Sequence, residues 1–280
     1  MNATQERKMM AAIIGCGFIG ETLAKAIDKE MSDRMELVAL YDQFKDRATQ
    51  LSQALDARPK VVEDLSDIIF DKKVDLVIEA ASQAAVKAHI LKVLAAGKNV
   101  MIVSVGALAD RGLLSEVMAV AREKKVKVYI PSGAIGGLDW IKAASDAGLE
   151  KVVITVRKPP LGLEGSPYVV KNRIDLHAIE KPTQIYEGPA AEAASAFPAN
   201  VNVAVALSLA GIGTERTMVR VVADPTVKRN IHEIEAEGPV GKIAIRIENV
   251  PSPTNPKTSW VAALSAIRKL KELAEPVSLG

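Results

Sequence analysis

The sequence predicts an α/β fold: a doubly wound parallel sheet, then a second domain of α+β type. Three observations carry that expectation. Through the first half, short apolar runs rich in Val and Ile, at 11–14, 37–40, 76–78, 100–103 and 126–130, alternate with helical patterns. A glycine-rich turn, Gly15-Cys16-Gly17-Phe18-Ile19-Gly20, joins the first run to the first helix. Past residue 131 the strands change character and alternate openly between apolar and polar residues.

The early runs are continuous, as strands buried on both faces of a parallel sheet are. Leu23, Ala24 and Ile27 lie in the helix that Gly20 opens. Val86, Ile90, Val93 and Leu94 fall on one helical face, and Gly97 follows as a stop. Another helix is expected over 112–124. This order of strands and helices implies right-handed crossovers and a doubly wound sheet. Pro131-Ser132-Gly133-Ala134-Ile135-Gly136-Gly137 is a second glycine-rich turn, leading into a helix over 138–146. Met218, Arg220 and Val222 then share one strand face, with Thr217, Val219 and Val221 on the other. Ile243, Ile245 and Ile247 repeat the alternation. This predicts a half-solvated, antiparallel sheet with a hairpin loop at 237–241. Residues 158–190, with Pro159, Pro160, Gly162, Gly165 and Pro167, read as loops of mixed content. After Pro256, Thr258 or Ser259 caps a last helix whose turns are marked by Trp260, Leu264, Ile267 and Lys271. The expected domains are 1–134 and 135–257, with the helix of 258–280 returning to the first.

Composition narrows the function. A chain of 280 residues that is 49% hydrophobic and 25% charged can bury one large or two ordinary cores, which excludes wholesale disorder. A net charge of +2 exerts no strong pull on nucleic acid or membrane. Aromatic residues, at 4%, show no interleaving with basic ones, so no base-stacking surface is read. No signal peptide or membrane span is read, and a cytoplasmic location is the expectation. Cys16 is the single cysteine, which excludes an intrachain disulfide and a cysteine-based metal cluster. No metal is expected.

The first glycine-rich turn is a G-x-G-x-x-G placed between a strand and a helix. Gly15 permits the tight turn, Gly17 lets backbone amides approach a pyrophosphate, and Gly20 lets helix and strand pack closely. Free N–H groups and a partial positive charge stand at the helix N-terminus. Asp42 follows Gly20 by about 20 residues, the separation at which an acid meets the adenosine ribose. The reading is a Rossmann-type dinucleotide-binding domain. Asp42 favours NAD, while Lys45 and Arg47 leave NADP open. Cys16 lies in the turn, where a helix dipole can acidify a thiol, yet it is read as a small residue tolerated there.

Three histidines stand in the chain. His89 lies in an apolar helix and reads as structural; His177 lies in a polar segment and reads as exposed. In a strand, His232 shares its face with Ile234 and Ala236, while Glu233 and Glu235 point the other way. An ionisable ring is thus aimed at an interior or a cleft, either structural or catalytic. Asn200 and Asn202 open an apolar helix as caps or as ligand contacts. Arg157-Lys158-Pro159-Pro160 and Asn255-Pro256-Lys257-Thr258-Ser259 read as basic turns, either of which suits a carboxylate.

In order and spacing, the strings Ser132-Gly133-Ala134-Ile135-Gly136-Gly137-Leu138-Asp139, Arg157-Lys158-Pro159-Pro160, 197–211, Ala223-Asp224-Pro225, 229–235 and Asn255-Pro256-Lys257-Thr258-Ser259 resemble the L-aspartate dehydrogenase family. The similarity spans residues 10–273. It implies oxidation of L-aspartate to iminoaspartate or oxaloacetate plus ammonia, with NAD or NADP, in a step that feeds NAD biosynthesis. It also implies that His232 is catalytic and that Ala134 and Asn202 contact the dinucleotide, beside Gly15, Gly17, Phe18, Ile19, Gly20 and Asp42. Lys257, Thr258, Ser259 and Asn200 are the candidates for the substrate carboxylates. A homodimer is expected, acting on small molecules, with no nucleic-acid or membrane partner. The implied chemistry passes the α-hydrogen as hydride to nicotinamide and leaves an imine for water to attack. It needs a group that handles protons near neutrality, typically worth about 10²–10⁴-fold. The rivals are another dehydrogenase of the homoserine or dihydrodipicolinate reductase kind, and a catalytically silent nucleotide-binding regulator. The dihydrodipicolinate type would show paired histidines, which this sequence lacks. A regulator would keep Gly15, Gly17 and Asp42 without needing His232 in a cleft.

Overall fold

The computed structural model describes residues 7–198, 201–252, 259–275 and 277. They divide into two compact units. The first runs to Ser104, takes in Arg111–Pro131 and ends with the chain from Ala266 onward; the second holds Val105–Asp110 and Ser132–Ser265.

In the first unit the chain runs β1 (Met9–Ile14), α1 (Phe18–Glu30), β2 (Met35–Tyr41), α2 (Lys45–Ala54), β3 (Lys60–Val61), α3 (Ser66–Ile69), β4 (Leu76–Glu79), α4 (Gln83–Ala95), β5 (Asn99–Ile102), α5 (Arg111–Lys124) and β6 (Val128–Tyr129). All six strands are parallel, in the order β3-β2-β1-β4-β5-β6. The strand order therefore reverses between β1 and β4, which opens a crevice at their C-terminal ends. Residues 11–14 are at most 2% exposed, which is why they read as a continuous apolar run. β3 carries only two residues, too short to show any periodicity in sequence. Ser82 caps α4 by accepting the Ala85 N–H. Buried Glu79 ends β4 and accepts from Ala81 N–H, Ser82 N–H, Ser104 N–H and Ser104 Oγ–H, tying down the loops after β4 and β5.

The second unit adds α6 (Leu138–Asp146), β7 (Lys151–Lys158), α7 (Pro167–Lys171), β8 (Thr183–Pro189), α8 (Ala190–Ala196), α9 (Asn202–Ala210), β9 (Met218–Ala223), β10 (Asn230–Gly238) and β11 (Gly241–Asn249). Val105–Ala109, a 3₁₀ turn, belongs with it. Its sheet runs β11-β10-β7-β9-β8. The expectation of an antiparallel sheet is corrected here: β7 and β9 pair in parallel, and the other neighbours are antiparallel. The chain between β7 and β9 is long enough for a crossover and carries β8, α8 and α9, so no hairpin geometry constrains that pair. The loop expectation for 158–190 also yields. Pro167 begins α7, a position its fixed φ suits, and β8 lies at the sheet edge, where its Gly188 and Pro189 are tolerated.

The last helix, α10 (Trp260–Ala274), sends Ala266 and Leu270 into the hydrophobic core of the first unit, among Leu23, Ile27 and Leu40. Among the described residues, no helix is long and apolar enough to cross a membrane.

Candidate active site

In the first unit the glycine-rich turn stands at the crevice. Gly15 has φ +95°, and a Cβ there would meet the Ala80 carbonyl and Ala81 at 2.7 Å. A Cβ on Gly20 would lie 1.8 Å from the Gly15 carbonyl oxygen, so helix and turn touch only because Gly20 has no side chain. Gly17 differs: a Cβ there meets nothing within 4 Å. It is the N-cap of α1, and no side chain caps that helix. The turn thus leaves open space beside uncapped N–H groups, the cradle a pyrophosphate needs. Phe18 lines a neighbouring hollow with Glu21 and Arg47, whereas Ile19 packs against the core and offers the crevice only its backbone. The Asp42 carboxylate accepts from Cys16 N–H at 2.7 Å and from Phe44 N–H at 2.8 Å, which fixes it at the end of β2. Asp42, Gly15, Gly17, Arg47, Ser82 and His89 share one cleft of about 370 Å³.

These residues fit a dinucleotide. Of the two cations near Asp42, Lys45 is paired with Glu63, while Arg47 lines the cleft and stacks over Phe44. His89, which reads in sequence as structural, lines the same cleft beside Ala84, Ala85 and Ala88. Cys16 is buried, and burial first, then the Asp42 charge, push its thiol up to about 12. No acidic thiol stands in the turn. We expect Gly17→Val to melt close to wild type but to lose dinucleotide affinity at least about tenfold, since its new side chain fills the cradle. Gly20→Ala should lose stability instead, by about 1–3 kcal/mol or more, through the clash with Gly15. Thermal melts and NADH fluorescence titration separate the two; wild-type affinity in Gly17→Val would count against the cradle.

In the second unit a row of polar side chains crosses one face of the sheet. Register places Lys158, Asn230 and Asn249 at the same level of β7, β10 and β11, with His232 one pleat further along β10, opposite Val156 and Ile247. All four are buried: Lys158 6%, Asn230 8%, His232 4% and Asn249 5% exposed. Asn249 Nδ2 lies 3.0 Å from His232 Nδ1 and donates to the Ala134 carbonyl, also at 3.0 Å. Asn230 Nδ2 donates to the Ser259 Oγ at 3.3 Å, so Ser259 joins the row. Asn202 begins α9, and its Oδ1 accepts the Gly106 N–H at 2.9 Å. Asn200, Lys257 and Thr258 lie outside the described residues.

The pleat separates two kinds of charge. Arg157, next to Lys158, points to the opposite face and pairs with Asp224 at 3.0 Å and Glu233 at 3.3 Å; Glu233 also pairs with Arg246. The expected basic turn at 157–160 is therefore corrected: its two cations end strand β7 and serve different faces. Arg157 is neutralised by carboxylates. Burial lowers the Lys158 ammonium to about 8. The His232 ring is lowered to about 4, by burial first and by the Lys158 charge second, with the Ala134 carbonyl opposing both. His232 is neutral at pH 7.

That neutrality has a stability consequence. As pH falls below 6.5 the unfolded chain takes up a proton on this histidine before the folded chain does, so folded stability declines until the pH passes about 4. At roughly 1.4 kcal/mol for each pH unit in that window, the loss is about 3 kcal/mol. Urea unfolding at pH 7 and pH 4 should show His232→Gln losing less stability than wild type by about that amount. Equal losses would mean that the ring titrates normally.

The comparisons with known proteins separate the rivals. Residues 15–131 match the family described as homoserine dehydrogenase, NAD binding domain, and residues 139–273 match aspartate dehydrogenase, C-terminal. L-aspartate dehydrogenase of Methanosarcina mazei is 51% identical over 268 residues, covering 96% of this chain and 98% of the relative. The chain belongs to the aspartate dehydrogenase family. The same enzyme of Methanosarcina barkeri is 50% identical over 268 residues, with coverage of 96% and 98%. Among solved structures, aspartate dehydrogenase from Thermotoga maritima superposes with a TM-score of 0.78 at 28% identity, covering 98% of this chain and all of the other. In this aspartate dehydrogenase relative the first unit is thus an NAD-binding domain of Rossmann type, and the second carries the family's own C-terminal region.

Proposed function

We propose that the chain oxidises L-aspartate to iminoaspartate, which hydrolyses to oxaloacetate and ammonia, with NAD or NADP as the partner of the reaction. The observation that carries the reading is the buried row of Lys158, Asn230, His232 and Asn249 on one sheet face, within a region matched to the aspartate dehydrogenase C-terminal family. Four polar groups buried together at a cost in desolvation mark a site rather than a core. A bound nicotinamide dinucleotide supplies the hydride acceptor. Gly15, Gly17, Gly20 and the first-turn amides of Phe18 and Ile19 hold its pyrophosphate, and Asp42 its adenosine ribose. Ala134 and Asn202 contact the nicotinamide end by resemblance to the family.

Lys158 meets one substrate carboxylate. Its ammonium is buried in the same row as His232, and a carboxylate is the complementary charge. Ser259, with Lys257, Thr258 and Asn200, is assigned to the second carboxylate. His232 faces the reacting carbon as a neutral ring. The first unit, which includes the chain from Ala266 onward, is assigned as the dinucleotide-binding domain and the second as the catalytic one; the family resemblance supports a cytoplasmic homodimer and a role in NAD biosynthesis. Arg47, on the cleft wall, supports use of NADP beside NAD.

The test is direct. The purified chain is mixed with L-aspartate and NAD or NADP, and absorbance of the reduced dinucleotide is followed; the reverse reaction uses oxaloacetate, ammonia and NADH or NADPH. Silence in both directions with both dinucleotides would remove the enzyme reading.

A further inference from the structure

Asn249 faces two neighbours through a single nitrogen. Its Nδ2 carries two hydrogens; one goes to the Ala134 carbonyl and the other points at His232 Nδ1, each over 3.0 Å. The orientation of this amide is not free. A carbonyl can only accept, so turning the amide over would set Oδ1 against the Ala134 oxygen and lose that bond. With Nδ2 as donor, His232 Nδ1 must be the acceptor. In a neutral imidazole the proton then resides on Nε2. Asn249 is 5% exposed and ends β11, opposite Asn230 and beside His232 in the register, so backbone pairing holds it in place. Among the described residues, Lys158 is the charged group that acts on the ring; with burial it disfavours a second proton there, against the Ala134 carbonyl, which favours one.

We propose that Asn249 is a positioning residue: it holds His232 in the Nε2–H tautomer, so that the ring presents a hydrogen-bond donor, not a base, to an oxygen of the substrate or of its hydrated imine. This rests on the reading that His232 is catalytic. A neutral imidazole that donates without giving up its proton stabilises negative charge growing on oxygen, which is the task of an electrophilic histidine. Ala134 has a part in this beyond any contact with dinucleotide, because its carbonyl orients the amide.

The chain contains only His89, His177 and His232, so ring-¹⁵N-histidine labelling gives three spin systems, assigned by substituting each in turn. In the wild-type protein at pH 7, His232 should show a protonated Nε2 and a bare Nδ1. In Asn249→Asp a carboxylate replaces the donor, so the proton should move to Nδ1 and the ring should titrate closer to neutrality. Turnover with aspartate should fall about 10- to 100-fold, with the KM for NAD little changed. A wild-type ring protonated on Nδ1 overturns the proposal, as does an Asn249→Asp protein that keeps wild-type turnover. If that variant does not fold, the wild-type spectrum decides alone. The two readings fail differently. Full turnover in His232→Ala removes the catalytic histidine whatever its tautomer; lost turnover with a wild-type Nδ1–H ring removes only the role of Asn249.

Discussion

Replacing His232 by alanine should lower kcat/KM for aspartate by about 10²–10³-fold, the range that a single preorganised hydrogen-bond donor to developing charge supplies. Dinucleotide affinity should stay near wild type, because the glycine-rich turn, Asp42 and Arg47 all belong to the first unit and His232 to the second. Stability should drop at neutral pH by about 1–3 kcal/mol, since Asn249 loses the acceptor for one of its hydrogens in a buried place. Three measurements on one variant therefore separate three roles: steady-state turnover, NADH fluorescence titration and urea unfolding. Turnover that survives the substitution excludes His232 from the chemistry. Lost dinucleotide binding would move its role to the cofactor.

The second large effect is expected at Lys158. Lys158→Met keeps the length and apolar stem of the side chain and removes its charge. Loss of a buried cation opposite a substrate carboxylate typically costs about 2–5 kcal/mol, or roughly 30- to several-thousand-fold in kcat/KM. The His232 ring should also titrate at higher pH, since the Lys158 charge is one of the two causes that depress it. A Lys158→Met protein with an unchanged KM for aspartate would assign both carboxylates elsewhere.

Much of this was legible in sequence, for physical reasons that can be named. The parallel strands showed as continuous apolar runs because both of their faces are covered, and the nucleotide turn showed because each glycine answers a separate steric demand. His232 could be placed on the buried face of its strand from period-two alternation alone, and in β10 it lies with Ile234 and Ala236, away from Glu235. The parallel pairing of β7 with β9 could not be read, because alternation reports faces and says nothing of strand direction. In sequence Lys158 and Arg157 read as one basic turn, since adjacent cations look alike until a pleat sends them to opposite faces. Asn249 gave no signal at all. It ends an edge strand whose other polar residues are exposed, and its partners, His232 and Ala134, are distant along the chain.

The hairpin between β10 and β11 closes with only Pro239 and Val240 between the paired residues Gly238 and Gly241. Because strand periodicity is two, a one-residue slip of this pairing would invert one strand relative to its partner. It would turn His232 or Asn249 toward the face of Arg157 and bring Glu233 or Glu248 inward. Point substitutions around the site alter one contact at a time, whereas a one-residue slip exchanges the whole constellation. The two-residue turn therefore guards the site by holding register, and the side chains can vary on a fixed frame.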